Sequence, residues 1–155
     1  MKLKIAAVGR LRGGPEAELI SDYLDRFDKT GRGLGLGPVS VHEVEARKGG
    51  MRAEAALLEK AVAGSNPVCV LDERGKSLSS IAFADLLAKW RDEGRAEAAF
   101  VIGGADGIDP SLRANADIAL GLGPMVWPHM LVRVMLAEQL YRAASILAGA
   151  PYHRA

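Results

Sequence analysis

Two short runs in this chain are apolar at every position. Pro67-Val68-Cys69-Val70-Leu71 ends at Asp72, and Ala98-Ala99-Phe100-Val101-Ile102 ends at Gly103-Gly104. A strand with one face in water alternates apolar and polar residues, whereas a strand apolar on both faces must be covered on both sides. Between such runs the period changes to that of a helix. Ala17, Ile20, Tyr23, Leu24 and Phe27 recur at helical spacing over 16–27, and further helices are expected over 53–63, 79–91, 110–116 and from about 129 to 147. Ser79 or Ser80 is the expected N-cap of the third. Leu3 to Val8 reads as a first strand, Ile118 to Leu120 as a short last one. Val39, Val41 and Val44 alternate as in a half-exposed edge strand behind the loop 31–38. Strands alternating with helices predict an α/β fold, a mainly parallel sheet flanked by helices, in a single domain over 1–155.

Composition narrows the function classes. In 155 residues, 20 basic side chains face 19 acidic ones, so a partner held by a large cationic excess is disfavoured, and any nucleic acid must be met by a local patch. Arg10, Arg12, Arg91 and Arg95 are candidates, each more simply read as solvated surface charge. One cysteine excludes an internal disulfide framework and cysteine-cluster metal sites. His42, His129 and His153 lack metal-ligand spacing. No metal is expected. Cys69, inside an apolar strand, reads as a small buried hydrophobe. With no signal-peptide core and no uncharged apolar stretch of about 18 residues, the chain is expected to be cytoplasmic, with no membrane partner.

Several motifs fail on spacing. Gly75-Lys76-Ser77 resembles the end of a P-loop, but the required upstream glycine is Val70, so a polar turn is the better reading. Gly9 to Gly13 follows a strand and precedes a helix without the full dinucleotide fingerprint, leaving a Rossmann-type nucleotide enzyme as a weak alternative. Glu138 and Arg142 are most simply an i,i+4 surface ion pair.

Three features remain. Gly103-Gly104-Ala105-Asp106-Gly107 follows a buried strand and lets backbone approach a ligand. Gly121-Leu122-Gly123-Pro124-Met125-Val126-Trp127-Pro128 is apolar yet full of breakers, suited to line a ligand or else to be buried as a crossover. The last helix carries Met130, Leu131, Val132, Val134, Met135, Leu136, Leu140, Tyr141, Ile146 and Leu147 around nearly its whole circumference, which suggests a subunit interface. On it, Arg133 needs a carboxylate or backbone partner if buried. The tail Pro151-Tyr152-His153-Arg154 sets a ring, an imidazole and a guanidinium side by side, suited to stacking on a base and neutralising an oxyanion.

These pieces, with Leu71-Asp72, Gly75-Lys76, Phe100 to Gly104, Pro128 to Val134 and Ala137 to Ala143, closely resemble the ribosomal RNA large subunit methyltransferase H family of the SPOUT superfamily. The resemblance implies a C-terminal trefoil knot, a rarity among folds, and S-adenosylmethionine as cofactor. Leu71, Gly103, Leu122, Gly123, Pro124, Met125, Val126 and Trp127 match the family's cofactor contacts. Where the family often has loop hydroxyls this chain has Gly121, Gly123 and Val126, so contacts through backbone are expected. The implied reaction is methylation of N3 of pseudouridine 1915 in 23S ribosomal RNA, within the assembled ribosome and not on DNA, by a homodimer in which one subunit's tail completes the other's site. Arg154 would stabilise the imide anion, Tyr152 and His153 would locate the base, and His129 would orient the uracil or relay a proton. A non-catalytic ribosome- or RNA-binding module is the other alternative. Isolated RNA fragments should bind weakly.

Overall fold

The computed structural model describes residues 1–154. Five strands, β1 (Lys2–Val8), β2 (Val39–Val44), β3 (Val68–Ser77), β4 (Glu97–Ile102) and β5 (Ile118–Gly121), form one parallel sheet in the order β2-β1-β4-β3-β5. The two fully apolar runs lie in inner strands, β3 and β4, with β1 as the third. β4 lies at the centre, with Phe100 opposite Ile5 of β1 and Cys69 of β3, and β2, with its alternating pattern, is an edge as expected.

Side chains leave a strand alternately to its two faces, and the two faces carry separate cores. On one face Leu3, Ile5, Cys69, Phe100 and Ile102 pack under α1 (Pro15–Gly31), α3 (Ser80–Asp92) and α5 (His129–Leu147). On the other, Ala6, Val70, Ala99 and Val101 pack under α2 (Met51–Ala61) and α4 (Pro110–Asn115). Burial pushes the Cys69 thiol up to about 12, so it behaves as part of the core. Helix α1 runs a turn beyond the apolar stripe, because Asp28-Lys29-Thr30 contains no breaker, and then tightens into a 3-10 turn at Arg32–Leu34. Ser79 is the N-cap of α3, its hydroxyl accepting from the Ala82 N–H at 3.0 Å.

One expectation is corrected here. Gly75-Lys76-Ser77 is not a turn: β3 bulges after Leu71 and resumes, so that Lys76 pairs with Leu120 and Ser77 with Gly121. Gly75 permits this return, since a Cβ there would stand 2.5 Å from the Leu120 carbonyl carbon and 2.6 Å from the Gly121 nitrogen. The apolar circumference of α5 also has a cause within the chain, because the helix packs against both α1 and α3.

Arg133 of α5 is the largest fully buried side chain, 1% exposed. Its Nη1 donates to Glu43 Oε2 at 2.7 Å, and its Nη2 donates to the carbonyls of Val8 and Gly9 at 3.1 and 3.0 Å. Glu43 Oε2 also accepts from the Leu11 N–H at 2.8 Å. This is the structural bridge that a buried guanidinium requires. It occupies the turn after β1, where a Rossmann-type enzyme would hold its ligand. Arg133→Ala leaves a carboxylate and two carbonyls without their donor, and should cost about 3–5 kcal/mol of stability, read as a lowered urea midpoint.

Candidate functional site

Parallel sheets place ligand sites beyond the carboxyl ends of their strands. Here β1 and β2 are closed off by Arg133, and the opening lies over β3, β4 and β5. A cavity of about 790 Å³, within the usual range for small-molecule sites, is lined by Leu71 and Asp72 of β3, Ile102 and Gly103 around the end of β4, and Leu120 of β5. Further walls come from the 103–108 turn, from the 121–128 loop, from His129 and Val132 of α5, and from Arg74 of β3 and Arg113 of α4.

The turn after β4 is tight. A Cβ on Gly103 would run into the Gly107 carbonyl, 2.6 Å from its carbon, so only glycine lets the chain fold back there. The Gly107 N–H closes the turn onto Gly104 O at 3.0 Å. The 121–128 loop is not a buried crossover. Met125 and Val126 are 69% and 77% exposed, and Trp127 stands at the cavity mouth with its indole N–H directed to Leu122 O at 3.3 Å. Gly123 has φ +98°, and the direction of its missing Cβ is open space. An exposed apolar loop beside a cavity with both apolar and charged walls is a surface shaped for a ligand.

Of the residues singled out in the sequence, Leu71, Gly103, Leu122, Gly123, Met125, Val126, Trp127 and His129 all line this cavity. Pro124 sits in the same loop without lining it. Asp72 and Arg113 were not legible as a pair, being 41 residues apart on different elements, and no local spacing announces them. Arg113 Nε donates to Asp72 Oδ2 at 2.6 Å, and Asp72 Oδ1 accepts from the Arg74 N–H at 2.8 Å. Burial alone would raise the Asp72 carboxyl, but these hydrogen bonds and the nearby guanidinium outweigh it and hold its pKa below the ordinary value.

Tyr152, His153 and Arg154 are not brought to the cavity of their own chain. The tail turns back on α5, where the Tyr152 hydroxyl donates to Glu138 Oε1 at 3.0 Å and its ring lies 4.6 Å from that of Tyr141. Glu138 and Arg142 are therefore no open surface pair. They are half-buried beneath the tail. Arg10 is paired with Glu45 and Arg95 with Glu93, while Arg91 reaches from α3 to the Leu34 carbonyl at 2.9 Å. Among the described residues, no group of three or more His, Cys, Asp or Glu side chains is placed to hold a metal, and no helix is long and apolar enough to cross a membrane.

The chain matches the family described as "predicted SPOUT methyltransferase" over residues 1–153. It is 68% identical over 155 residues to ribosomal RNA large subunit methyltransferase H of Dinoroseobacter shibae and 69% identical to that of Ruegeria pomeroyi, with 99% of each chain covered. Its fold is similar to that of a probable methylase family protein from Haemophilus influenzae, with TM-score 0.57, 11% identity, and 99% of this chain and 70% of the other covered. It is also similar to that of the tRNA (m1G37) methyltransferase from Aquifex aeolicus, with TM-score 0.54, 13% identity, and 99% and 74% covered.

The Asp72 carboxylate at the cavity wall gives a pH signature. A folded-state pKa below the unfolded value adds stability that is present above the unfolded pKa, about 3.9, and is lost as pH falls through the folded one. The stability difference between the wild type and Asp72→Asn should therefore stay constant from neutrality down to about pH 5 and shrink below about pH 4, as read by urea titrations across that range.

Proposed function

The chain belongs to the SPOUT methyltransferase family, and from that premise we propose that it is an S-adenosylmethionine-dependent methyltransferase acting on N3 of a pseudouridine in the 23S ribosomal RNA of the assembled ribosome. The observation that carries this reading is the cavity beyond β3, β4 and β5, roofed by an exposed apolar loop. Its fit to the cofactor can be argued wall by wall. Leu71, Ile102, Leu120 and Val132 offer an apolar slot for a purine. The side-chain-free backbones at Gly103 and Gly123 allow close approach where loop hydroxyls are missing. Asp72, Asp106, Arg74 and Arg113 supply both signs of charge around the mouth, suited to a zwitterionic amino-acid arm. The names of the relatives support ribosomal RNA as the substrate.

S-adenosylmethionine, when bound, supplies an activated methyl group. The protein's part is to hold the acceptor in line and to stabilise its anion. The pseudouridine N3–H must lose its proton, and the charge then spreads over the flanking carbonyl oxygens. Arg154 is the group suited to face that charge, with His153 and His129 orienting the base. Within one chain the tail lies away from the cavity, so this chemistry requires the tail of a second copy. A homodimer is part of the proposal for that reason. The same reading includes a trefoil knot in the C-terminal part, one domain over 1–155, a cytoplasmic location alongside ribosomes, and no membrane or DNA partner. The near balance of charge, +1 at neutral pH, favours recognition of a structured ribosomal surface over capture of free RNA.

Transfer of a radiolabelled methyl group to ribosomes with and without pseudouridine at the target tests the activity. Incorporation into the modified ribosomes is expected, and no incorporation into either overturns it. Arg154→Ala should lower turnover by about 10²–10³-fold with cofactor affinity in calorimetry unchanged. Near-normal turnover would remove Arg154 from the role.

A further inference from the structure

Four polar side chains outside the cavity are gathered where the tail meets α5, and the reading above uses only the tail's share of them. Glu138 Oε1 accepts from Arg142 Nε at 2.9 Å, from Arg142 Nη2, and from the Tyr152 hydroxyl at 3.0 Å. The Arg142 guanidinium carbon lies 4.8 Å from the centroid of the Tyr152 ring, and Arg142 Nη1 is 3.3 Å from His153 Nδ1. Tyr152 packs in turn on Tyr141, which stacks with Tyr23 of α1 at 6.3 Å and lies under Arg26. Chain ends ordinarily fray. This one is fastened by the Tyr152 hydroxyl on a carboxylate that Arg142 also holds, and by a ring held between an arginine and a tyrosine.

Resting on the tail's role in the proposed reaction, we infer that Glu138 and Arg142 are positioning residues that set the pose of the tail, and that Arg142 fixes His153 as the Nε2–H tautomer. The chemistry of the partners dictates the second part. A guanidinium has donors and no acceptor, and it does not deprotonate in proteins. A ring nitrogen in contact with it must therefore offer a lone pair. With Nδ1 as acceptor, the proton sits on Nε2, and the imidazole turns a hydrogen-bond donor away from α5. Tyr152 takes a different role from its neighbour. Its hydroxyl is spent on Glu138, and burial with the contacts to Tyr23 and Glu138 drives its acidity far below that of an ordinary tyrosine. It anchors the tail, stays protonated, and takes no part in proton transfer. What remains for the acceptor base is one fixed imidazole donor and Arg154, which is exposed and, among the described residues, pairs with no carboxylate. Both are donors of the kind that would stabilise oxygens gaining charge when N3 is deprotonated.

Two measurements test this on the full chain. In ¹⁵N-edited spectra of the wild type, His153 should show the Nε2–H tautomer, and Arg142→Ala should convert it to a mixture of tautomers. An Nδ1–H form in the wild type, or a pattern indifferent to Arg142, overturns the inference. The second is a double-mutant cycle on methyl transfer. Glu138→Gln should lower kcat by at least about tenfold with cofactor affinity unchanged, and should add little to the loss in Arg154→Ala, because a clamp acts only through the tail it holds. Independent, multiplicative losses, or loss of cofactor affinity with Glu138→Gln, overturn the positioning role. If Arg154→Ala itself turns over normally, the catalytic role of the tail fails, while the tautomer measurement still judges the clamp.

Discussion

Arg133 must leave water for α5 to lie against the ends of β1 and β2, and an unpaired buried charge would cost several kcal/mol. The helix can therefore dock in one position only, where Glu43 and the Val8 and Gly9 carbonyls converge on the guanidinium. That position decides much else. It sets His129 and Val132, on the same turns of α5, at the edge of the cavity. It holds the 9–13 turn through the shared contact of Glu43 with Leu11. It also divides the carboxyl edge of the sheet into a closed half over β1 and β2 and an open half over β3, β4 and β5.

Most of the fold could be read from residue pattern because its signals are local. Strands β3 and β4 declared themselves by being apolar on both faces, the β2 edge by alternation, and α5 by apolar residues around nearly its whole circumference. Hydroxyl capping was legible to within one residue, at Ser79 or Ser80. What escaped the sequence reading was decided by partners remote in the chain. A polar Gly75-Lys76-Ser77 looks like a turn until β5 arrives to pair with it. Likewise Glu138 and Arg142 look like a solvated i,i+4 pair until the tail folds over them.

The candidate site divides along the same line. Its glycines and its apolar loop carry their own warning, since breakers and grease together are unusual in a connection. The Asp72–Arg113 pair carries none, because an aspartate at a strand end and an arginine on a short helix are each unremarkable alone. The tail was conspicuous by its composition, yet composition could not say that two of its three polar groups are engaged with α5.

The backbone contacts at Gly75, Gly103 and Gly121 have a consequence for how such a chain can change over generations. At each, main chain presses on main chain with no space for even one methyl group, so replacement demands that two strands or a turn move together. Met125 and Val126, a few residues along the same wall, stand in solvent and can be exchanged for other apolar residues with little rearrangement. Variation among descendants of this chain should therefore be channelled into the roof over the cavity, leaving the turn at Gly103 and the β3–β5 contact behind it nearly frozen, so that ligand fit is retuned from above.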